Sequence, residues 1–230
     1  MGDLPLLVAR KSADVRTRPE YFRINLSTGT PPDMFHKSGQ NWGMPPYNWE
    51  KIAQDDWLYI KSRLKYAENF YHLFRIDHFI GLFRVWTFDR QGKGKFVPQN
   101  EMLWEKQGKK ILDIMLSATS MLPIAEDLGS VPSCSPKVLE EYSICGTDWQ
   151  RTLRKPGGEF LAPEKYRLNS CAVISLHDSS FFPAWWNYET TDQDKRRFID
   201  LLTQRVRFRR KCYSELVRAN LETINRSSSI

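Results

Sequence analysis

Apolar residues in this chain gather in short runs that stop abruptly at charged residues. The sharpest is Phe70-Tyr71-His72-Leu73-Phe74-Arg75-Ile76-Asp77-His78-Phe79, apolar and aromatic at its start and ionisable at its end. Met121–Gly129 repeats the design and reaches Glu126-Asp127, and Ala172–Asp178 repeats it again and ends in His177-Asp178. Bounded runs of this kind predict buried parallel strands. Side chains alternate along a strand, so Arg75 and Asp77 project from one face, where the guanidinium favours an ionised carboxylate. Asp77, Glu126 and Asp178 stand about 50 residues apart, room for one or two βα units of roughly 30 residues each. Functional groups at the ends of successive parallel strands are the arrangement of an α/β protein of the (β/α)8, or TIM-barrel, kind.

The remaining pattern fills in around these strands. Leu4–Ala9 reads as a further strand, residues 50–68 as a helix through Ile52, Trp57, Ile60 and Leu64, and residues 105–120 as a second helix. Ser135-Pro136 looks like an N-cap followed by proline at the first helical position. Residues 143–149 suit a strand, and Lys195–Leu221 is patterned as one amphipathic helix. Residues 10–50 are rich in proline and glycine, yet they carry Phe22, Phe35, Trp42, Tyr47 and Trp49. Aromatic content of that kind argues for an ordered loop rather than disorder, and the stretch at about 27–49 is expected to form a lid.

Composition narrows the chemistry. The 230 residues carry a formal net charge of +7 and 13% aromatics, including eight tryptophans. Most of those rings are assigned to the core, and some can serve as stacking platforms for sugar rings. The basic residues Arg196, Arg197, Arg207, Arg209, Arg210 and Lys211 invite a nucleic-acid reading. No nucleic-acid motif accompanies them, so a solvated outer helix is the expectation and no nucleic acid is expected as partner. Cys134, Cys145, Cys171 and Cys212 form neither a zinc spacing nor a disulfide framework, which suits a reducing, cytoplasmic setting. No apolar run reaches membrane-span length, no basic leader precedes the first strand, and Met1-Gly2 lacks the Ser or Thr of a myristoylation site. Gln91-Gly92-Lys93-Gly94-Lys95 lacks the order of a phosphate-binding loop and reads as a turn.

Three motifs, Arg75-Ile76-Asp77-His78-Phe79, Ala125-Glu126-Asp127-Leu128-Gly129 and His177-Asp178, occur in order behind the loop Pro31-Pro32-Asp33-Met34-Phe35 and Gly39-Gln40-Asn41-Trp42-Gly43. In this combination the chain resembles the amylomaltases, 4-α-glucanotransferases of the α-amylase clan. The resemblance implies a catalytic barrel domain over residues 1–230. Gly2-Asp3-Leu4-Pro5 would be its third strand, so about strands 3 to 7 are expected, with the N-terminal strands and the C-terminal end missing, as in a fragment or truncated gene.

The resemblance also implies roles. Asp77 would be the nucleophile and Glu126 the general acid–base of a retaining reaction, whose carboxyl groups lie ~5–5.5 Å apart in such enzymes. Asp178 would hold sugar hydroxyls and favour the oxocarbenium-like transition state. Arg75, His78, His177, Gln40, Trp42 and Asp127 would bind an α-1,4-glucan donor or acceptor, with no cofactor and no metal. Arg16 stands where relatives commonly carry Trp, and Ser179 where Asn or Thr is usual. Two alternatives remain, a hydrolase of the same clan and a non-catalytic glucan-binding remnant.

Overall fold

A computed structural model describes residues 1–32, 37–207 and 213–229, and its first unit, Met1–Ile144, is organised by a three-stranded parallel sheet. Strand β1 is Gly2–Leu4. The expected strand through Ala9 stops here because Pro5 has no N–H for the ladder, although Leu6 and Leu7 still pack into the core. A short helix α1 (Ala13–Thr17), capped by the Ser12 hydroxyl, follows. The proline-rich segment is more regular than its composition suggests. It contains β2 (Ser27–Thr30) and β3 (Gln40–Asn41), which pair antiparallel. Asp33, Met34 and Phe35 of the lid motif lie outside the described residues.

The helix expected over 50–68 is two helices, α2 (Trp49–Gln54) and α3 (Leu58–Ala67). Asp56 and Trp57 between them take left-handed backbone with φ of 48° and 60°, which breaks the helix and turns Trp57 into the core. Strand β4 is Leu73–Ile76. Phe70 and Tyr71, read as part of this buried run, belong instead to the turn that ends α3 and are exposed. Tyr71 lies so close over Gly2 that a Cβ there would sit 2.5 Å from its ring.

After β4 come β5 (Val85–Phe88) and β6 (Gly94–Val97), which join the earlier pair in an antiparallel sheet of order β3-β2-β5-β6. Helix α4 (Trp104–Ser117) buries Trp104, Gly108, Ile111, Leu112 and Met115 along one stripe. Full burial of aliphatic side chains such as Ile111 and Leu112 contributes about 2 kcal/mol each. Strand β7 (Leu122–Ala125) then adds beside β4, giving the order β1-β4-β7 with every pair parallel. Helix α5 (Ser135–Glu141) closes the unit. Its N-cap is Cys134 rather than Ser135, which is buried in the first turn.

The second unit, Cys145–Ile230, holds a parallel pair, β8 (Gly146–Trp149) and β9 (Ser170–Val173). The run expected to extend to Asp178 leaves the sheet after Val173, and the Ser179 hydroxyl bonds to both the amide and the carbonyl of Leu176. Such local side-chain bonding competes with strand pairing. Helix α6 (Phe182–Ala184) runs into a wider turn over Trp185–Glu189. Where one C-terminal helix was expected there are two, α7 (Asp192–Thr203) and α8 (Tyr213–Ile224). Phe160, Trp185, Phe198, Leu202 and Leu216 form this unit's core. Arg197 donates to the Gly157 and Gly158 carbonyls and Arg205 pairs with Glu164 at 2.9 Å, so part of the basic stretch is engaged locally. Arg209, Arg210, Lys211 and Cys212 lie outside the described residues. Among the described residues, no helix is long and apolar enough to cross a membrane.

Gly29 is where the antiparallel sheet tolerates no side chain: a Cβ there would lie 1.8 Å from the Gln40 carbonyl oxygen. Gly29→Ala is expected to cost about 2 kcal/mol in denaturant unfolding, with faster hydrogen exchange at Trp42, whose amide donates to Thr28. Unchanged stability and exchange would contradict this account of the sheet.

Candidate active site

The parallel register of β1, β4 and β7 brings three carboxylates to one guanidinium. Arg75 faces Asp3 across the β1–β4 ladder, and its Nε and Nη2 donate to Asp3 Oδ1 and Oδ2 at 2.9 and 3.1 Å. Nη2 also donates to Asp77 Oδ1 at 2.8 Å, as strand alternation predicts. Nη1 lies 3.0 Å from Glu126 Oε2. Asp77 and Glu126 each occupy the first position beyond a strand, after Ile76 and after Ala125. The paired ends are locked by backbone bonds: Glu126 donates to Ile76, Phe79 to Glu126 and Asp77 to Leu4.

Arg75 is 7% exposed. Burial works against its charge, but the Asp3 hydrogen bonds and the charges of Glu126, Asp3 and Asp77 outweigh that and hold it protonated. Burial pushes the Glu126 carboxyl above its ordinary range. The His78 amide and Arg75 oppose the rise, and the neighbouring Asp77, by charge and by hydrogen bonding, adds to it. Glu126 is thus harder to ionise than an ordinary glutamate. A carboxyl group held above its ordinary range is suited to delivering a proton.

His78 completes the corner. Its backbone is left-handed, with φ 44°, and its amide donates to Glu126 Oε2 at 2.9 Å. That conformation is costly outside glycine and persists only where surrounding contacts enforce it. Gly81 helps to enforce it, because a Cβ there would fall 2.1 Å from Leu6 and 2.9 Å from the His78 ring. Desolvation pushes the His78 imidazole down to about 4, so it is neutral at pH 7. The segment around β3 reaches this ring: Trp42 meets it edge-on, with centroids 5.2 Å apart and planes at 89°. Trp42 is steered by its indole N–H, which donates to Gln40 Oε1 at 3.1 Å.

Arg75, Asp77, His78, Glu126, Trp42 and Gln40 thus converge, and Asp127 is half-buried at the same strand end. His177 and Asp178 belong to the second unit, in the loop beyond β9, where their side chains contact each other at 3.1 Å and are well exposed. Sequence reasoning passed over two contributors. Asp3 was read only as part of a strand, although a carboxylate inside a short apolar strand signals a buried cationic partner. The Leu6 amide, 3.4 Å from Asp77 Oδ2, had no signal in the sequence.

The family model for 4-alpha-glucanotransferases matches residues 1–230. The chain belongs to that family. It is 44% identical over 188 residues to the 4-alpha-glucanotransferase of Chlamydia pneumoniae, covering 80% of this chain and 36% of the relative. It is 41% identical over 208 residues to that of Chlamydia muridarum, covering 87% and 38%. The chain thus spans well under half the length of these relatives. Among solved structures, the amylomaltase from Streptococcus agalactiae in complex with acarbose superposes with a TM-score of 0.76 at 24% identity, over 99% of this chain and 46% of that one. The Corynebacterium glutamicum amylomaltase gives 0.70 at 20% identity, over 94% and 30%. The family's fold is therefore present over part of its length, as an α/β structure with parallel strands.

Removing the shared cation isolates its contribution. Arg75→Met is expected to cost about 3–5 kcal/mol at neutral pH, because three carboxylates lose their partner. It should also raise the Glu126 pKa further, since the Arg75 charge lowers it. The deficit should shrink on acidification as the carboxylates protonate. Denaturant unfolding across pH, with carboxyl NMR titration, checks both, and a deficit that does not change with pH would count against the cluster.

Proposed function

We propose that this chain carries the catalytic carboxylates of a 4-α-glucanotransferase, acting on maltose or malto-oligosaccharides by retaining double displacement. The observation that carries the reading is the pair formed by Asp77 and Glu126 on one buried arginine, with burial pushing the Glu126 carboxyl above its ordinary range. In the first step an Asp77 carboxylate oxygen attacks the anomeric carbon. The C1–O4 bond breaks and the Glu126 proton passes to the departing O4. In the second, Glu126 takes the proton of an acceptor 4-hydroxyl, whose oxygen attacks C1 and releases Asp77. The excess negative charge around Arg75 favours the positive charge that develops on the sugar ring.

Further assignments rest on the motifs. Asp178 and His177 hold sugar hydroxyls, and His78, Arg75 and Asp127 bind the glucan. The segment at about 27–49 is the lid, with Gln40 and Trp42 toward the acceptor. Its support is the Trp42–His78 contact, and an aromatic lid that excludes water favours transfer over hydrolysis. The chain supplies about strands 3 to 7 of a catalytic barrel domain, and the enzyme works in the cytoplasm. Acarbose, bound by the similar Streptococcus agalactiae amylomaltase, is expected to inhibit it.

Incubation with maltotriose should yield glucose together with longer oligosaccharides. Asp77→Asn should abolish both, and Glu126→Gln should lower kcat by about 10³-fold. Glucose without longer products would favour hydrolysis, and binding without turnover would favour a non-catalytic glucan-binding protein. Because Glu126 must start protonated and its pKa is raised, kcat/KM should fall on the alkaline side at a pH above the ordinary glutamate range. An alkaline limb within that range would contradict the acid–base assignment.

A further inference from the structure

Beyond β7 the chain enters no regular element until α5, and Glu126 stands at the start of that excursion. Its placement depends on what fixes the following residues. Arg84, immediately before β5, supplies one tie: its Nη2 donates to the Ser130 carbonyl at 3.2 Å. The guanidinium is clamped between rings, 3.8 Å from the Phe96 centroid on β6 and 4.2 Å from that of Trp104 at the start of α4. Trp104 is itself 6% exposed, and its indole N–H donates to the Pro98 carbonyl at 2.9 Å. Arg84 Nε is buried without a hydrogen-bond partner among the described residues, so the ring faces hold the plane of the group while its tip holds the loop. Strand β5 pairs with β2. Arg84 therefore links the segment after Glu126 to the sheet that bears the lid.

We propose that Arg84 is a positioning residue for Glu126, fixing the backbone of residues 127–130 through an aromatic-clamped guanidinium. The proposal rests on the acid–base reading of Glu126. The same device occurs in the second unit, where Arg151, 7% exposed and 4.9 Å over the Trp185 ring, donates to the Ser180 carbonyl at 2.6 Å. Ser180 lies two residues beyond Asp178, so a ring-held arginine again ties the loop that follows a motif carboxylate.

The groups that face Glu126 are Arg75 and Asp77 from the end of β4, Asp3 of β1 through Arg75, and the His78 amide and ring, with Asp127 adjacent in the chain. The titratable groups that act on Arg84 are Glu101 and Cys134. Any effect of Arg84 on the titration of Glu126 must then pass through backbone placement. Loosening the loop would admit water, relieve the desolvation of Glu126 and move its pKa down.

The test uses Arg84→Met and the milder Arg84→Lys in the full chain. Hydrogen exchange at Leu128–Val131 is expected to speed up by about tenfold or more in Arg84→Met. With a malto-oligosaccharide donor, kcat should fall about tenfold to a hundredfold at nearly constant KM, and the alkaline limb of kcat/KM should move to lower pH. Arg84→Lys, which keeps the charge but not the planar fork, should be intermediate in all three. If Arg84→Met does not fold, the lysine variant decides. Unchanged exchange in a folded variant overturns the proposal, as does a lower unfolding temperature with the alkaline limb unmoved. A wild-type chain without turnover would overturn the acid–base reading, and the exchange arm would still decide whether Arg84 ties the loop.

Discussion

One guanidinium serves three carboxylates, and the parallel sheet is arranged so that it can. Arg75 sits in the central strand, with Asp3 on the strand to one side and Glu126 at the end of the strand to the other. Asp77 follows two residues later on the same face. Three carboxyl groups share this buried cation, and burial, with a smaller contribution from Asp77, makes Glu126 harder to ionise than an ordinary glutamate. The burial that comes with this packing moves the Glu126 pKa upward, the direction the proposed chemistry requires. Losing Asp3 would cost more than a surface ion pair, because Arg75 would then be shared only by Asp77 and Glu126.

The surrounding structure makes that arrangement rigid. Sheet bonds hold Asp77 and Glu126 at adjacent strand ends. The left-handed His78 aims its amide at Glu126, and the absence of a side chain at Gly81 lets Leu6 close over that turn. The antiparallel sheet ties β2 and β3 to β5, and through Arg84 it reaches the loop beyond Glu126. Rigid elements carrying groups from several strand ends give more exact placement than mobile loops would.

Much of this was legible because it depends on local pattern. Alternation placed Arg75 and Asp77 on one face, and abrupt polar endings marked where β4 and β7 stop. The features that escaped depend on partners distant in sequence or on backbone geometry. Strands of two to four residues such as β2 and β3 carry too little periodicity to register among prolines and glycines. The break between α2 and α3 follows from left-handed backbone at Asp56, a residue type that tolerates it, and at Trp57, whose type gives no signal for it. Asp3 and Arg75 meet only because parallel register sets them side by side, and the early end of β9 follows from a hydroxyl three residues downstream of Leu176.

The account stands most directly on which carboxylate becomes glycosylated. Glu126→Gln, incubated with α-glucosyl fluoride (a donor whose leaving group needs no protonation) and quenched in acid, should accumulate a covalent glucosyl adduct, located by peptide mass spectrometry. The account predicts the adduct on Asp77 and none in Asp77→Asn. An adduct on another residue, or donor consumption that persists in Asp77→Asn, would contradict it.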